Sequence, residues 1–281
     1  LANATGTADV FDLTLKSATS LTAGSVTLNG IETVNINSVD TDVTAAGVVN
    51  SNTLTLVATA AKSIVVTGNT DLNLASTANT LVTSFDASAA TGDINYKSAN
   101  ATIGEIVTIK GGAGDDILEG NSAITVNDII FGGAGDDIIT YTGGKDTFTG
   151  GAGNDTFKFG AGALGTKDVH LTIADLSKGD KIDLTGIAAI TGTATATPLG
   201  DKVTLGAAAT LDNYLDAAAA GAGAAAASLL KWFQFENNTY LVVDNTGTAP
   251  FAATDSVIKI TGLVDLSTST VDATTEIITI A

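Results

Sequence analysis

The sequence contains no cysteine, no methionine and no arginine, and it has one histidine and two prolines among 281 residues. Without cysteine, both a disulfide scaffold and a thiol enzyme are excluded. The motifs H-E-x-x-H and G-x-S-x-G of zinc proteases and serine hydrolases are also absent. The single histidine offers only one candidate base for a catalytic triad. We therefore predict a protein that is not an enzyme, with a structural or exposed role for His170.

Positively charged residues are also few compared with negatively charged ones. All 12 basic residues are lysine, against 30 acidic residues, which gives a formal net charge of −18. This balance argues against nucleic acid or an anionic membrane as a partner. There is no run of about 18 strongly apolar residues of the kind that a membrane span needs, and the alanine-rich stretch 217–227 contains two glycines. Neither a signal pattern nor an initiating methionine is present, so we expect a fragment of a larger protein.

Glycine and aspartate are abundant in one repeat region between Gly111 and Lys158. Three units fit the pattern G-G-x-G-x-D-x-U-x, where U is a large apolar residue, and they begin at Gly111, Gly132 and Gly150. Their sixth and eighth residues are Asp116 with Leu118, Asp137 with Ile139, and Asp155 with Phe157. Two degenerate units, Asp128 with Ile130 and Asp146 with Phe148, keep only the second half of the pattern. A flexible linker would not keep an apolar residue at a fixed offset.

The spacing of these glycines and aspartates predicts loops that bind a cation. Glycines allow sharp turns that aim carbonyl oxygens inward, and each x-U-x piece predicts a short strand. Two nonapeptides then form one turn of a parallel β-roll, so Asp116, Asp137 and Asp155 should form one row, and Asp128 and Asp146 the other. Stacked carboxylates repel unless a cation lies between them, and a cage of hard oxygens suits Ca²⁺ better than Mg²⁺ or zinc.

These units resemble the nonapeptide calcium repeat of RTX proteins. The resemblance implies a site made of the aspartates and the carbonyls of loop positions one to four. The predicted calcium ligands in the repeats are Gly111, Gly112, Ala113, Gly114, Asp116, Asp128, Gly132, Gly133, Ala134, Gly135, Asp137, Gly143, Asp146, Gly150, Gly151, Ala152, Gly153 and Asp155. The phrase I-x-D-L-x-x-G-D-K-I-D-L at 173–184 resembles the segment that closes the β-roll in secreted RTX metalloproteases. By that resemblance Asp175 and Asp180 are further ligands, with a plain polar turn as the alternative.

The predicted fold class is all-β. Residues 1–110 show short runs with period-2 alternation between turn residues, which favours a right-handed parallel β-solenoid over a sandwich. The solenoid continues into the RTX β-roll at 111–160, followed by a C-terminal cap and type I secretion signal region at 161–281. The cap is predicted to be mostly β, with a helix over Thr210–Lys231, either whole or split in two by Gly221-Ala222-Gly223, and a hairpin that turns at Asn237-Asn238. Glu32 and Asp86 are interpreted as solvated turn residues, with calcium ligands or lattice contacts as the alternative.

Several phrases outside the repeats, among them GIETVNI, KSIVVTGN, TSFDAS, VTLGAAATL and KWFQF, resemble the C-terminal part of RTX-type surface-layer (S-layer) proteins of the Caulobacter kind. That resemblance implies calcium-dependent self-assembly into a two-dimensional lattice on a bacterial cell surface. It also implies export by type I secretion machinery, and attachment to lipopolysaccharide through an N-terminal part that is absent here. The alternative is the C-terminal calcium-binding secretion module of an RTX protease, lipase or adhesin.

Overall fold

The computed structural model describes residues 6, 8–41, 50–100, 102–121, 126–160, 166–168, 170–187, 199, 202–220, 229–244, 250–253, 255–272 and 275–281. Most elements are short β-strands. The strands up to the helix are β1 (Val10–Ser17), β2 (Leu21–Leu28), β3 (Thr33–Asp40), β4 (Ser51–Ala58), β5 (Ser63–Gly68), β6 (Asp71–Ala75), β7 (Ser84–Ala90), β8 (Ile94–Lys97), β9 (Ile106–Lys110), β10 (Ile117–Glu119), β11 (Asn127–Ala134), β12 (Ile138–Tyr141), β13 (Thr147–Ala152), β14 (Thr156–Phe159), β15 (Thr172–Ile173) and β16 (Lys181–Asp183). The helix α1 (Leu211–Ala219) is followed by β17 (Leu229–Phe235), β18 (Asn238–Asp244), β19 (Ser256–Thr261), β20 (Thr270–Val271) and β21 (Ile277–Thr279).

Successive strands alternate between two sheets. The first sheet has the order β1-β3-β5-β7-β9-β11-β13-β15-β19-β18-β17, and the second has the order β2-β4-β6-β8-β10-β12-β14-β16-β21-β20. From β1 to β16, every neighbouring pair within a sheet is parallel. A strand that pairs in parallel with the next strand but one is the topology of a parallel β-solenoid. The predicted all-β solenoid is confirmed.

Apolar side chains of the strands point between the sheets, because side chains alternate faces along a strand. In the first sheet the register stacks these residues into the row Val34, Ile64, Phe85, Ile109, Ile130, Phe148, Ile173 and Ile260, all fully buried. The second sheet has a matching row: Leu54, Leu74, Tyr96, Leu118, Ile139, Phe157, Ile182 and Ile278. The apolar residues of the nonapeptides therefore continue a core that begins in the solenoid and ends in the cap. The predicted domain boundaries at 110 and 160 stay a prediction.

The C-terminal region closes the solenoid by a change of direction. β16 pairs antiparallel with β21, and β17, β18 and β19 form an antiparallel meander at the end of the first sheet. The helix α1 packs on this meander through Leu215 and Ala218, which contact a small cluster containing Phe233. In the described part of the chain, no helix has the length and apolarity that a membrane crossing requires.

Two local predictions in the cap were wrong. The helix begins at the predicted cap Thr210, whose hydroxyl accepts the Asn213 N–H at 3.3 Å, but it ends at Ala219. Residues 221–228 lie outside the described residues, and Lys231 lies in β17, where strand pairing outweighs helix propensity. The hairpin turns at Glu236 and Asn237, with φ of 46° and 61°, one residue earlier than predicted.

The interpretation of Asp86 as a turn residue was also wrong. Asp86 lies in β7, which pairs with β5 and β9 and buries Phe85 in the core row. Asp86 points away from the core and forms an ion pair with Lys110 at 3.1 Å. Glu32 accepts the Asp9 backbone N–H at 2.9 Å. Both carboxylates therefore contribute hydrogen bonds or ion pairs that link neighbouring turns of the solenoid.

Candidate metal centre

The first row of aspartates lies in the turns that lead from the first sheet to the second. Each Oδ1 accepts the backbone N–H of the equivalent residue in the preceding turn. The donor and acceptor pairs are Ile94 N to Asp116 (2.7 Å), Asp116 N to Asp137 (2.8 Å), Asp137 N to Asp155 (3.0 Å) and Asp155 N to Asp180 (3.0 Å). The row therefore contains the three predicted repeat aspartates and ends on Asp180, all of them buried.

The second row lies where the chain returns from the second sheet to the first, with Asp128 at the start of β11 and Asp146 directly before β13. Asp146 Oδ1 accepts the Asp128 N–H at 2.8 Å, and Asp128 Oδ2 accepts the Asn121 N–H at 2.7 Å. Asp128 and Asp146 are both buried. The two degenerate units thus place their aspartates next to each other, on the opposite side from the first row, as the alternation of units predicts.

Glycine is required where the turns approach these carboxylates. A Cβ added to Gly132 would collide with the carboxylate of Asp137, and one added to Gly150 would collide with that of Asp155. The second glycine of a unit has a different constraint. Gly133 and Gly151 have φ of +126° and +108°, and a Cβ there would collide with the carbonyl of the turn below. Glycine at the first two repeat positions therefore allows carbonyl and carboxylate oxygens to lie very close to the backbone of the turn.

The remaining predicted ligands lie in the same turns. Asp175 accepts the N–H groups of Gly150 and Gly151 through its two oxygens, both at 2.9 Å. It therefore covers the last complete repeat unit. The other residues whose backbone carbonyls are predicted calcium ligands lie at or next to the strand ends that flank the two rows. They are Gly111, Gly112, Ala113, Gly114, Ala134, Gly135, Gly143, Ala152 and Gly153.

The electrostatics of both rows disfavour an empty, fully ionised site. Burial raises the pKa of Asp137 and Asp146 to about 8, and neighbouring carboxylates add to the effect. Burial likewise raises the pKa of Asp116, Asp128 and Asp155 to about 6. Three carboxylate oxygens, Asp128 Oδ1, Asp137 Oδ2 and Asp146 Oδ2, are buried without a hydrogen-bond partner among the described residues. Buried charges need a counter-charge or a metal.

These features fit a calcium ion. Ca²⁺ binds carboxylate and backbone carbonyl oxygens in flexible geometry, and both types converge in the glycine-lined turns. Within the described ranges, no group of three or more His, Cys, Asp or Glu side chains is arranged to hold a metal. An ion at the rows would therefore need the carbonyls as well as the aspartates. Which residues coordinate it stays a prediction.

One row of polar residues was missed by the sequence interpretation. Asp71, Asp93, Asp115, Asp136 and Asn154 form an outer ladder, in which each Oδ1 accepts the N–H of the next member at 2.7–3.0 Å. The signal was the dipeptide at positions five and six of each unit, Asp-Asp or Asn-Asp, together with Gly92-Asp93 one turn earlier. Gly120, whose added Cβ would collide with Asp128, was also missed, because the degenerate unit separates glycine and aspartate by eight residues.

Comparison with known proteins identifies a family. A search of curated proteins gave no match to the chain, so the resemblance to surface-layer proteins gained no support from that search. The family model for the Peptidase M10 serralysin C terminal matches residues 93–271, which include the roll, the turn before it and most of the cap. The matched region is a non-catalytic C-terminal part of RTX proteins. The chain belongs to this serralysin C-terminal family of RTX-repeat calcium-binding proteins.

Proposed function

We propose that the chain is a calcium-binding C-terminal module that folds outside the cell after export by a type I secretion system. The observation that carries this proposal is the pair of buried aspartate rows, in which carboxylates stack at successive turns and three of their oxygens have no hydrogen-bond partner among the described residues. Family membership supports both the calcium and the secretion. This was the alternative in the sequence interpretation.

The physical chemistry links calcium to export. Without calcium, each turn of the roll brings another buried carboxylate next to the last one and buries little apolar area in return. At cytosolic calcium the roll should therefore stay disordered, in a state that fits a narrow export channel. Outside the cell, calcium reaches the range of about 10⁻⁴ to 10⁻³ M over which extracellular modules bind it. Binding energy then becomes folding energy.

The test combines folding and export. Far-ultraviolet circular dichroism at pH 7.5 should show a gain of β-structure when calcium is titrated into the chelated chain. A reporter fused in front of the chain should appear in the medium of cells that carry a type I exporter for RTX proteins. The matched control is the same fusion lacking residues 161–281. Equal export of the two fusions, or a β-signal indifferent to calcium, would contradict the proposal.

A second candidate function is assembly into an S-layer. The supporting observation is that the solenoid from β1 to β8 shares its sheets and core with the roll. It therefore forms one continuous structural unit with the roll and is not a short linker. Ile117 and Ile138 lie side by side on the outer face of the second sheet and are 45% and 36% exposed. Identical copies would associate through symmetric contacts of such faces, and lipopolysaccharide would be bound by a part outside this chain.

Negative-stain electron microscopy distinguishes the two candidates. Ordered sheets in millimolar calcium that disappear with a chelator would support the lattice on a bacterial cell surface. A folded monomer that never associates would contradict it and leave the secretion module intact. An RTX protease, lipase or adhesin region would then be expected elsewhere in the whole protein.

A further inference from the structure

The sequence contains a single Asn-Gly pair, Asn29-Gly30, and this pair lies in the turn that joins β2 to β3. Asn29 is exposed, and Gly30 is half-buried with φ of 66°. Asparagine and glycine are common in turns because both tolerate a positive φ. The turn lies outside the repeats, and neither residue belongs to an aspartate row. The calcium sites of the proposed function therefore make no use of this pair.

Two groups of this pair can react with each other, the Asn29 side-chain amide and the Gly30 backbone N–H. Neither of them takes part in a hydrogen bond in the part of the chain that the structure describes. Asparagines in other turns of the solenoid are held in place. Asn79 and Asn100 are buried, and their Nδ2 atoms donate to backbone carbonyls at 3.1 and 2.9 Å. The structure therefore distinguishes Asn29 from the asparagines that fill the turns.

The chemistry of the pair needs only water. The deprotonated backbone nitrogen of Gly30 attacks Cγ of Asn29, and glycine has no Cβ to obstruct the approach. The new N–Cγ bond closes a succinimide ring, the Cγ–Nδ2 bond breaks, and Nδ2 takes up the proton and leaves as ammonia. Water then opens the ring at either carbonyl, which gives aspartate or isoaspartate. One molecule of water is consumed and one of ammonia is released, without a change of oxidation state.

The residues on both sides of the turn are anchored. Leu28 and Ile31 are buried, with 4% and 5% of their surface exposed. Glu32 and Thr33 donate their N–H groups to the Asp9 carbonyl at 3.1 and 3.0 Å, which ties the start of β3 to the segment before β1. In isoaspartate the main chain passes through Cγ and is one carbon longer. That extra carbon must fit between anchored ends, so it displaces the buried side chains or breaks the hydrogen bonds to Asp9.

We propose that Asn29-Gly30 is a site of spontaneous covalent modification, at which deamidation through a succinimide yields aspartate and isoaspartate. Both products add a negative charge to the turn between β2 and β3. Isoaspartate also lengthens the main chain there and loosens the strands β1 to β3. The modification is independent of calcium binding in the repeats, since the reaction uses only the two residues of the turn and water.

The first test follows each asparagine of the full chain by peptide mass spectrometry during incubation in calcium at mildly alkaline pH. Asn29 should be converted to the acid at least about tenfold faster than Asn73, because glycine leaves the attacking nitrogen unobstructed. Asn73 is the matched internal control, since it is also exposed but is followed by Leu74. Equal rates at the two asparagines, or no conversion at Asn29, would overturn the proposal.

The second test uses the variant Asn29→Gln, whose longer side chain keeps the amide but closes the ring far more slowly. Isoaspartate is measured by enzymatic methylation with a protein isoaspartate methyltransferase and labelled S-adenosylmethionine, and it should form in the parent and not in the variant. After the same incubation, hydrogen exchange of the modified parent should show about tenfold or more loss of protection in β1 to β3. Isoaspartate at equal levels in both proteins, or unchanged protection in the modified parent, would contradict the proposal.

Discussion

At the scale of single residues, the molecule is dominated by carboxylates that it buries. Asp116, Asp137 and Asp155 each bind one backbone N–H through Oδ1, which helps to position them. Yet burial raises the pKa of all three, so hydrogen bonding does not compensate the loss of hydration. Calcium would supply the missing compensation. Residue chemistry alone therefore predicts opposite responses of the calcium-free and calcium-bound protein to pH.

In a chelator, the protein should become more stable as the pH falls from about 8 to about 4. The row aspartates have folded pKa values of about 6 to 8, against 3.8 for an ordinary aspartate. Over that window the folded state holds more protons than the unfolded state, so the free energy of unfolding decreases as pH rises. With saturating calcium the trend should reverse, since ligands must be deprotonated. Melting temperatures at both conditions test this, and a parallel pH dependence would contradict it.

Replacement of one row aspartate should have an effect that depends on calcium. Asp137→Asn should lower the free energy of unfolding by about 2 kcal/mol in calcium, since an interaction with a charged group is lost. In a chelator at pH 8 the variant should be no less stable than the parent, because it removes a buried acid. Asp136→Asn, its exposed neighbour, is the control. Chemical denaturation measures both, and equal losses in calcium and chelator would show a merely structural aspartate.

At the scale of elements, the aspartates, glycines and asparagines with particular roles lie mainly in the turns between the sheets. Each turn between sheets must satisfy backbone groups that strand pairing leaves over. In the roll, aspartates and glycines do this. In the solenoid, buried asparagines do it: Asn79 Oδ1 accepts the Ala58 N–H at 2.6 Å, and its Nδ2 donates to Leu56 at 3.1 Å. Asn100 donates in the same way to Val82 at 2.9 Å.

Asn79→Ala should therefore destabilise the protein by about 2 to 4 kcal/mol, since two buried backbone groups lose their partner. Asn73→Ala is the control, because Asn73 is exposed and lies on the outer face of β6. Thermal unfolding of both variants in calcium measures the difference. Similar melting temperatures would show that water replaces the asparagine in the turn.

The glycines of the roll are expected to be sensitive for a steric reason. Gly133→Ala should cost at least about 3 kcal/mol, because the added Cβ collides with the carbonyl of Gly112 in addition to the strain of a positive φ. Gly104→Ala separates the two causes. Gly104 also has a positive φ, of 80°, but an added Cβ meets no atom within 4 Å. The variant should therefore show only the smaller cost of the backbone conformation. Equal losses in denaturation would rule out the collision as the cause.

At the scale of the whole molecule, two apolar rows connect the solenoid, the roll and the cap through one core. The roll depends on calcium in its turns, whereas the first solenoid turns have asparagines and longer strands. Hydrogen exchange should show protection of the strands β1 to β16 in calcium. In a chelator, strands β10 to β14 should lose protection by at least tenfold while β3 to β5 keep theirs. Loss of protection at the same rate in both regions would show a single cooperative unit.

The sequence by itself determined the all-β fold class, the repeat and the division of the repeat aspartates into two rows. The reason is that a nonapeptide with one apolar position has few ways to fold. It also predicted Asp180 as the closing aspartate by resemblance. It missed β7, placed the helix end too late and overlooked the outer ladder. These features depend on neighbours distant in sequence: Phe85 is in a strand because Ile64 and Ile109 pair beside it. Only the tertiary register brings Asp71, Asp93 and Asp115 into one ladder, since parallel stacking joins residues 22 positions apart.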